Sequence, residues 1–247
     1  MKIRILSFCF IFLFSFNLNA GWWEKGSQLL NKYKSKNSSS SSNLSISEIS
    51  QGLKEALKVG TENVVKRLGK KDGFFNDEKV HISLPENLQK VKNTLEKVGL
   101  ANQLNSLELK LNRAAELATP KAKKLFWNAI KDMTIEDVNK IYHGPEDAAT
   151  KYFRKKMSIP LKKEMEPIVK ETLNQVKAVK TYNSILNTYN SLPFVKPVKG
   201  NLTEYVLNKA LDGIFYYLAK EEAAIRKNPA KRTTDILKKV FGSLKNR

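Results

Sequence analysis

From Leu44 to Phe241 the apolar residues recur at spacings of three, four and seven, the period of a helix with one buried face. Ile46, Ile49, Leu53, Leu57, Val64 and Leu68 form the first such series. Leu88, Val91, Leu95 and Val98 form the next, followed by Leu104, Leu107, Leu111 and Ala115, then by Ala122, Leu125, Phe126, Ala129 and Met133. Val80, Ile82 and Leu84 alternate with polar residues, but no second alternating segment is there to pair with them. One short extended segment near residues 80–84 cannot make a sheet. The pattern predicts an all-α fold: a single domain over residues 44–247, with about eight to ten helices.

Local signals place the helix ends. Ser45 with Glu48 has capping-box spacing, Thr134 with Asp137 starts a short helix ending near Gly144, and Asn201 with Glu204 opens "LTEYVLNKALDGIFYYLAKEEAAIRK". Pro120 fits the first turn of a new helix and Pro167 a kink. "IPLKKEMEPIVKETLNQVKAV" reads as one long helix, and Thr233 to Phe241 as a short last one. Gly52 and Gly60, inside the first helix, mark a close helix crossing.

The N-terminal 43 residues differ in kind. Lys2 and Arg4 precede the apolar run "ILSFCFIFLFSF", and "NLNA" follows it; this layout is that of a signal peptide over residues 1–20, too short to span a bilayer. The expectation is export, with the periplasm as destination. The only cysteine, Cys9, lies inside that run, so a chain cut after Ala20 has no disulfide-linked partner and no thiol chemistry. Residues 21–43 read as a tail and a Ser-rich linker. Trp22 and Trp23 stand among lysines there, which suits contact with a membrane interface or a partner.

Charge narrows the partners. The chain carries 44 Lys and Arg against 24 Asp and Glu, a formal charge of +20. In an exported protein that basicity points to an anionic membrane surface or an envelope protein, and makes nucleic acid an unlikely partner. The segment from Arg226 to the end joins basic residues to the apolar stripe Ile236, Leu237, Val240 and Phe241, which suits either packing on the domain or docking on an anionic surface.

Several phrases taken together, "GLKEALKVGTENVVKRLGKKDGF", "ISLPENLQKV", "LNRAAELATPKAKKLFWNAIKDMTIEDV", "GPEDAATKYFR", "YVLNKALDGIF" and "EEAAIRKNPAKRTTDILKKVFG", resemble a bacterial family catalogued as domain-of-unknown-function family 4197. The resemblance covers nearly all of Ile46 to Gly242. It implies an exported, helical, single-domain protein, and brings no established reaction, cofactor or catalytic residue. His143 is outside the residues that carry it.

No motif specifies a reaction. His81 and His143 are far apart and without cysteine, a poor basis for zinc; residues 72–78 lack the alternating oxygens of a calcium loop; and no P-loop or G-x-S-x-G elbow exists. No cofactor is expected. The remaining candidates are polar residues within apolar helices: Asn112, Arg113 and Glu116, with Arg113 and Glu116 paired at i,i+3; Asp212; and Glu222 with Arg226 at i,i+4. In "HGPEDAATKYFRKK", Pro145 is placed at the first helical position, with Glu146 and Asp147 at the positive helix end. Ala149, Tyr152, Phe153 and Met157 make the apolar arc, Asp147 pairs with Lys151, and Thr150, Tyr152 and Arg154 remain functional candidates rather than His143. These features favour a non-enzymatic envelope module that binds a partner or an anionic membrane surface. Alternatives are an enzyme working through carboxylates such as Glu116, Asp147 or Glu222, and a binder of an apolar small molecule among the aromatic residues around Phe215.

Overall fold

Helix-forming series separated by short breaks produce eight α-helices in the computed structural model, which describes residues 44–243. They are α1 (Ile46–Leu68), α2 (Glu86–Lys97), α3 (Ala101–Lys131), α4 (Ile135–Tyr142), α5 (Ala148–Gln175), α6 (Ala178–Asn190), α7 (Leu202–Lys227) and α8 (Asp235–Gly242). A single 3₁₀ turn, Pro229–Lys231, joins the last two. No strand occurs among the described residues. The expected signal peptide, the Ser-rich linker and the pair Trp22–Trp23 lie outside the described residues.

The predicted caps form. Ser45 and Glu48 make a reciprocal capping box on α1, Thr134 and Asp137 make one on α4, and the Asn201 side chain accepts from the Glu204 N–H at the start of α7. Helix α3 is the central element and packs against α1, α5, α6 and α7. Its apolar stripe of Leu104, Leu107, Leu111, Ala115, Ala118 and Ala122 is fully buried. Helices α5 and α7 pack on each other, and α8 closes the far side of α1.

Pro120 does not begin a helix. It sits inside α3, which runs unbroken for 31 residues. Proline there removes one i→i−4 hydrogen bond, but Ala114, Ala115, Ala118, Thr119 and Ala122 bury the same face on both sides of it and hold the register. Likewise, the helix expected at "IPLKKEMEP" is the continuation of α5, which carries both Pro160 and Pro167 internally. It stops at Gln175, where Lys177 turns left-handed (φ 57°) and starts α6. Pro145 also lies ahead of its helix: α5 starts at Ala148 with Asp147 as N-cap residue, and Glu146 pairs with Lys227 of α7 instead of the helix end.

Gly52 does mark a close crossing. A Cβ on it would lie 2.5 Å from Val240 Cγ2 of α8, so only glycine permits this contact. Gly60 faces α7, where an added Cβ would make an ordinary 3.5 Å contact with Glu221. The stripe on α8 is core: Leu237, Val240 and Phe241 are buried against the domain, not presented for docking.

Candidate functional site

Ten polar residues stood out in the sequence, and they fall into two buried networks, one isolated contact and one open cleft. The first network holds residues 69–85 against α3. The Asn112 amide accepts from the Ile82 N–H at 2.9 Å and donates to the Ile82 carbonyl at 2.8 Å, so a side chain takes the place of the missing neighbouring strand. Glu116 accepts from the N–H groups of Phe74 and Phe75, and its other oxygen meets Arg113 at 2.6 Å. Arg113 also reaches Asp72, which tolerates a left-handed φ of 66°. Glu108 completes this network, accepting from the Leu84 N–H and bonding His81 Nε2 at 2.9 Å. Sequence reading missed Glu108, although its spacing of four from Asn112 and eight from Glu116 was the available signal.

The second network joins three helix ends. Glu222 of α7 accepts from the N–H groups of Ala149 and Thr150 and from the Thr150 hydroxyl, each at 2.9 Å. It therefore caps α5 from another element, because Asp147 makes no side-chain cap. Arg226 pairs with Glu222 at 3.1 Å and donates to the carbonyls of Ile141 and Tyr142, the end of α4. Burial pushes the Glu222 carboxyl above its ordinary value, against the pull of those N–H donors and of Arg226. The Arg113–Glu116 and Glu222–Arg226 pairs form at their expected spacings. Tyr152 stands apart from both networks: its hydroxyl donates to Asp137 at 2.8 Å, and burial, then that carboxylate, push the phenol up to about 12.

Asp147, Thr150, Arg154 and Asp212 do come together. They line a surface cleft of about 630 Å³ between the start of α5, the middle of α7 and residues 79–81. Lys79, Lys151, Arg154 and Lys209 supply four cations to its wall, with His81 and the ring of Tyr216 beside them. Its two carboxylates are already paired, Asp147 with Lys151 at 3.0 Å and Asp212 with Arg154 at 3.1 Å. Lys79 and Lys209 thus have no lining carboxylate left to neutralise them. Neither lysine was singled out in the sequence, since each is one among many. Both His81 ring nitrogens are engaged, Nδ1 with the Phe75 carbonyl at 2.7 Å. His143 lies just beyond α4, with Nδ1 3.0 Å from the Asn139 carbonyl oxygen.

The chemistry of the carboxylates follows from their partners. Glu116 and Glu222 point their oxygens at backbone N–H groups of a packed interior, and no substrate approaches them without dismantling those bonds. Most of the aromatic set around Phe215 is core: Ile214, Phe215, Leu218 and Phe126 are buried, Phe126 meets Phe215 edge to face at 5.9 Å, and Tyr216 alone of this stretch is exposed, at the cleft. Among the described residues no group of three or more His, Cys, Asp or Glu is placed to hold a metal ion, and no helix is long and apolar enough to cross a membrane.

Fold and site together define an all-α protein with a cationic surface cleft and internally committed carboxylates. The chain belongs to the family described as protein of unknown function DUF4197, whose model matches residues 43–242. No curated protein and no solved structure matches it.

Proposed function

We propose that this protein is a non-enzymatic helical module of the bacterial envelope that binds an anionic partner, and that the partner's negative group enters the cleft at the start of α5. The observation that carries this reading is the charge of the cleft: four cations line it, and the only two acids there are already paired. Partly enclosed walls weaken solvent screening and focus such a field. The commitment of Glu116 and Glu222 to backbone donors supports binding over acid–base catalysis. The signal-peptide layout of residues 1–20 supports the envelope as its place.

Inorganic pyrophosphate, followed by NMR amide shifts, tests the cleft directly. Saturable shifts centred on Thr150, Lys151 and Gly213 are expected, weakening as salt rises and disappearing in the double variant Lys79→Ala/Lys209→Ala. Shifts scattered over the lysine-rich surface, or retained in the double variant, would remove the cleft from this reading.

A further inference from the structure

Helix α5 leaves the domain surface with an unusual residue in the open. Ile159 is 82 % exposed, whereas Phe153 and Leu161 of the same helix are buried and Met157 is half-buried. Lys155 and Lys156 lie four and three positions before it, and Lys162 and Lys163 three and four positions after it. On a helix those four positions are the neighbours of residue 159 on its own face, at about 5–6 Å between Cβ atoms. All four lysines are exposed. Glu166 is the acid that shares this face, two turns further on, and Asp137 of α4 lies near enough to Lys156 to feel its charge. Around Ile159 itself the field is positive.

An exposed β-branched residue ringed by long cationic stems is complementary to an anionic surface with apolar matter just beneath it. Each lysine reaches outward with its ammonium while the isoleucine supplies the apolar tip. A lipid headgroup layer offers anionic groups at its surface and acyl carbon a few ångströms below, which fits charge outside and apolar contact within. We infer that this face of α5 docks on an anionic bilayer, with Ile159 entering the headgroup–acyl boundary and Lys155, Lys156, Lys162 and Lys163 contacting lipid phosphates. The inference rests on the envelope location proposed above, and is separable from the cleft because Lys79 and Lys209, the cleft lysines without a lining carboxylate, lie on other elements.

The test uses the full chain with vesicles of phosphatidylglycerol and phosphatidylcholine against vesicles of phosphatidylcholine alone, in co-sedimentation. The preference for anionic vesicles is expected to fall about fivefold for each of the four lysines changed to alanine. Ile159→Glu is expected to lower it at least about tenfold. These side chains are exposed, so circular dichroism and melting remain as in the parent. Lys79→Ala/Lys209→Ala is expected to keep full vesicle binding while losing pyrophosphate, which separates a failure of this inference from a failure of the cleft reading. No anionic preference in the parent, or an equal preference in the Ile159→Glu and lysine variants, would overturn the docking face. Loss of vesicle binding confined to the cleft variant would overturn it as well, by moving lipid recognition to the cleft.

Discussion

Along α3, Glu108, Asn112 and Glu116 recur every four residues and turn inward; along α5, Lys155, Ile159 and Lys163 recur at the same spacing and turn outward. The periodicity is the same, and the consequences are opposite. The polar groups of α3 meet backbone N–H and C=O groups of residues 74–84, a segment too short to satisfy itself with a sheet. Buried backbone polar groups must be paired, so these side chains are held by what they complete. Lys155 and Lys163 of α5 face solvent instead. Polar residues inside a helix thus divide by what the neighbouring element lacks, which no property of the helix alone reveals.

The largest expected effect comes from breaking the inward set. Glu116→Ala leaves the Phe74 and Phe75 N–H groups without their acceptor and the Arg113 guanidinium with Asp72 alone, for a loss of about 3 kcal/mol. Melting is expected to fall by about 6–12 °C. Urea unfolding of this variant within about 0.5 kcal/mol of the parent would show that residues 69–85 are held by apolar contacts instead.

A smaller effect distinguishes the two regions by pH. Tyr217 donates to Asp77 at 2.6 Å, tying the 69–85 segment to α7, and Tyr152 donates to Asp137, tying α5 to α4. Burial, then the carboxylate partner, raise each phenol from 10.0 to about 12. A raised folded value means that the native state holds the proton more tightly than the unfolded chain. The contribution is therefore full below pH 10 and is lost as pH rises from 10 to about 12. Stability measured across that window is expected to decline, and Tyr217→Phe and Tyr152→Phe are each expected to flatten part of the decline. A decline of the same size in both variants as in the parent would detach it from these phenols.

The smallest effect on stability belongs to the cleft lysines, which like those of α5 are exposed. Lys79→Ala/Lys209→Ala is expected to unfold within about 0.5 kcal/mol of the parent, because neither lysine has a lining carboxylate to lose. A larger drop in urea unfolding would make those lysines structural and narrow the contrast between α3 and the cleft.

Much of the fold was legible from spacing. The caps at Ser45, Thr134 and Asn201 and the pairs Arg113–Glu116, Asp147–Lys151 and Glu222–Arg226 were readable because each joins positions three or four apart on one helix. Pro120 and Pro160 misled for the complementary reason: proline carries a local preference for helix starts, and burial of the flanking turns outweighed it. The candidate site was only half legible. Asp147, Thr150, Arg154 and Asp212 drew attention in their helices, whereas Lys79 and Lys209 acquire meaning only where α5, α7 and residues 79–81 meet.

What this sequence determined by itself is therefore the all-α class, the capped starts of α1, α4 and α7, and the short-range ion pairs, the caps and pairs being set by contacts within about one helical turn. Only the tertiary structure decided that Glu222 caps another helix, that Asn112 stands in for a strand, that the stripe of α8 is core, and that four cations share a cleft. Those outcomes join residues tens of positions apart, and packing alone sets which of many equivalent polar side chains meets an unsatisfied partner.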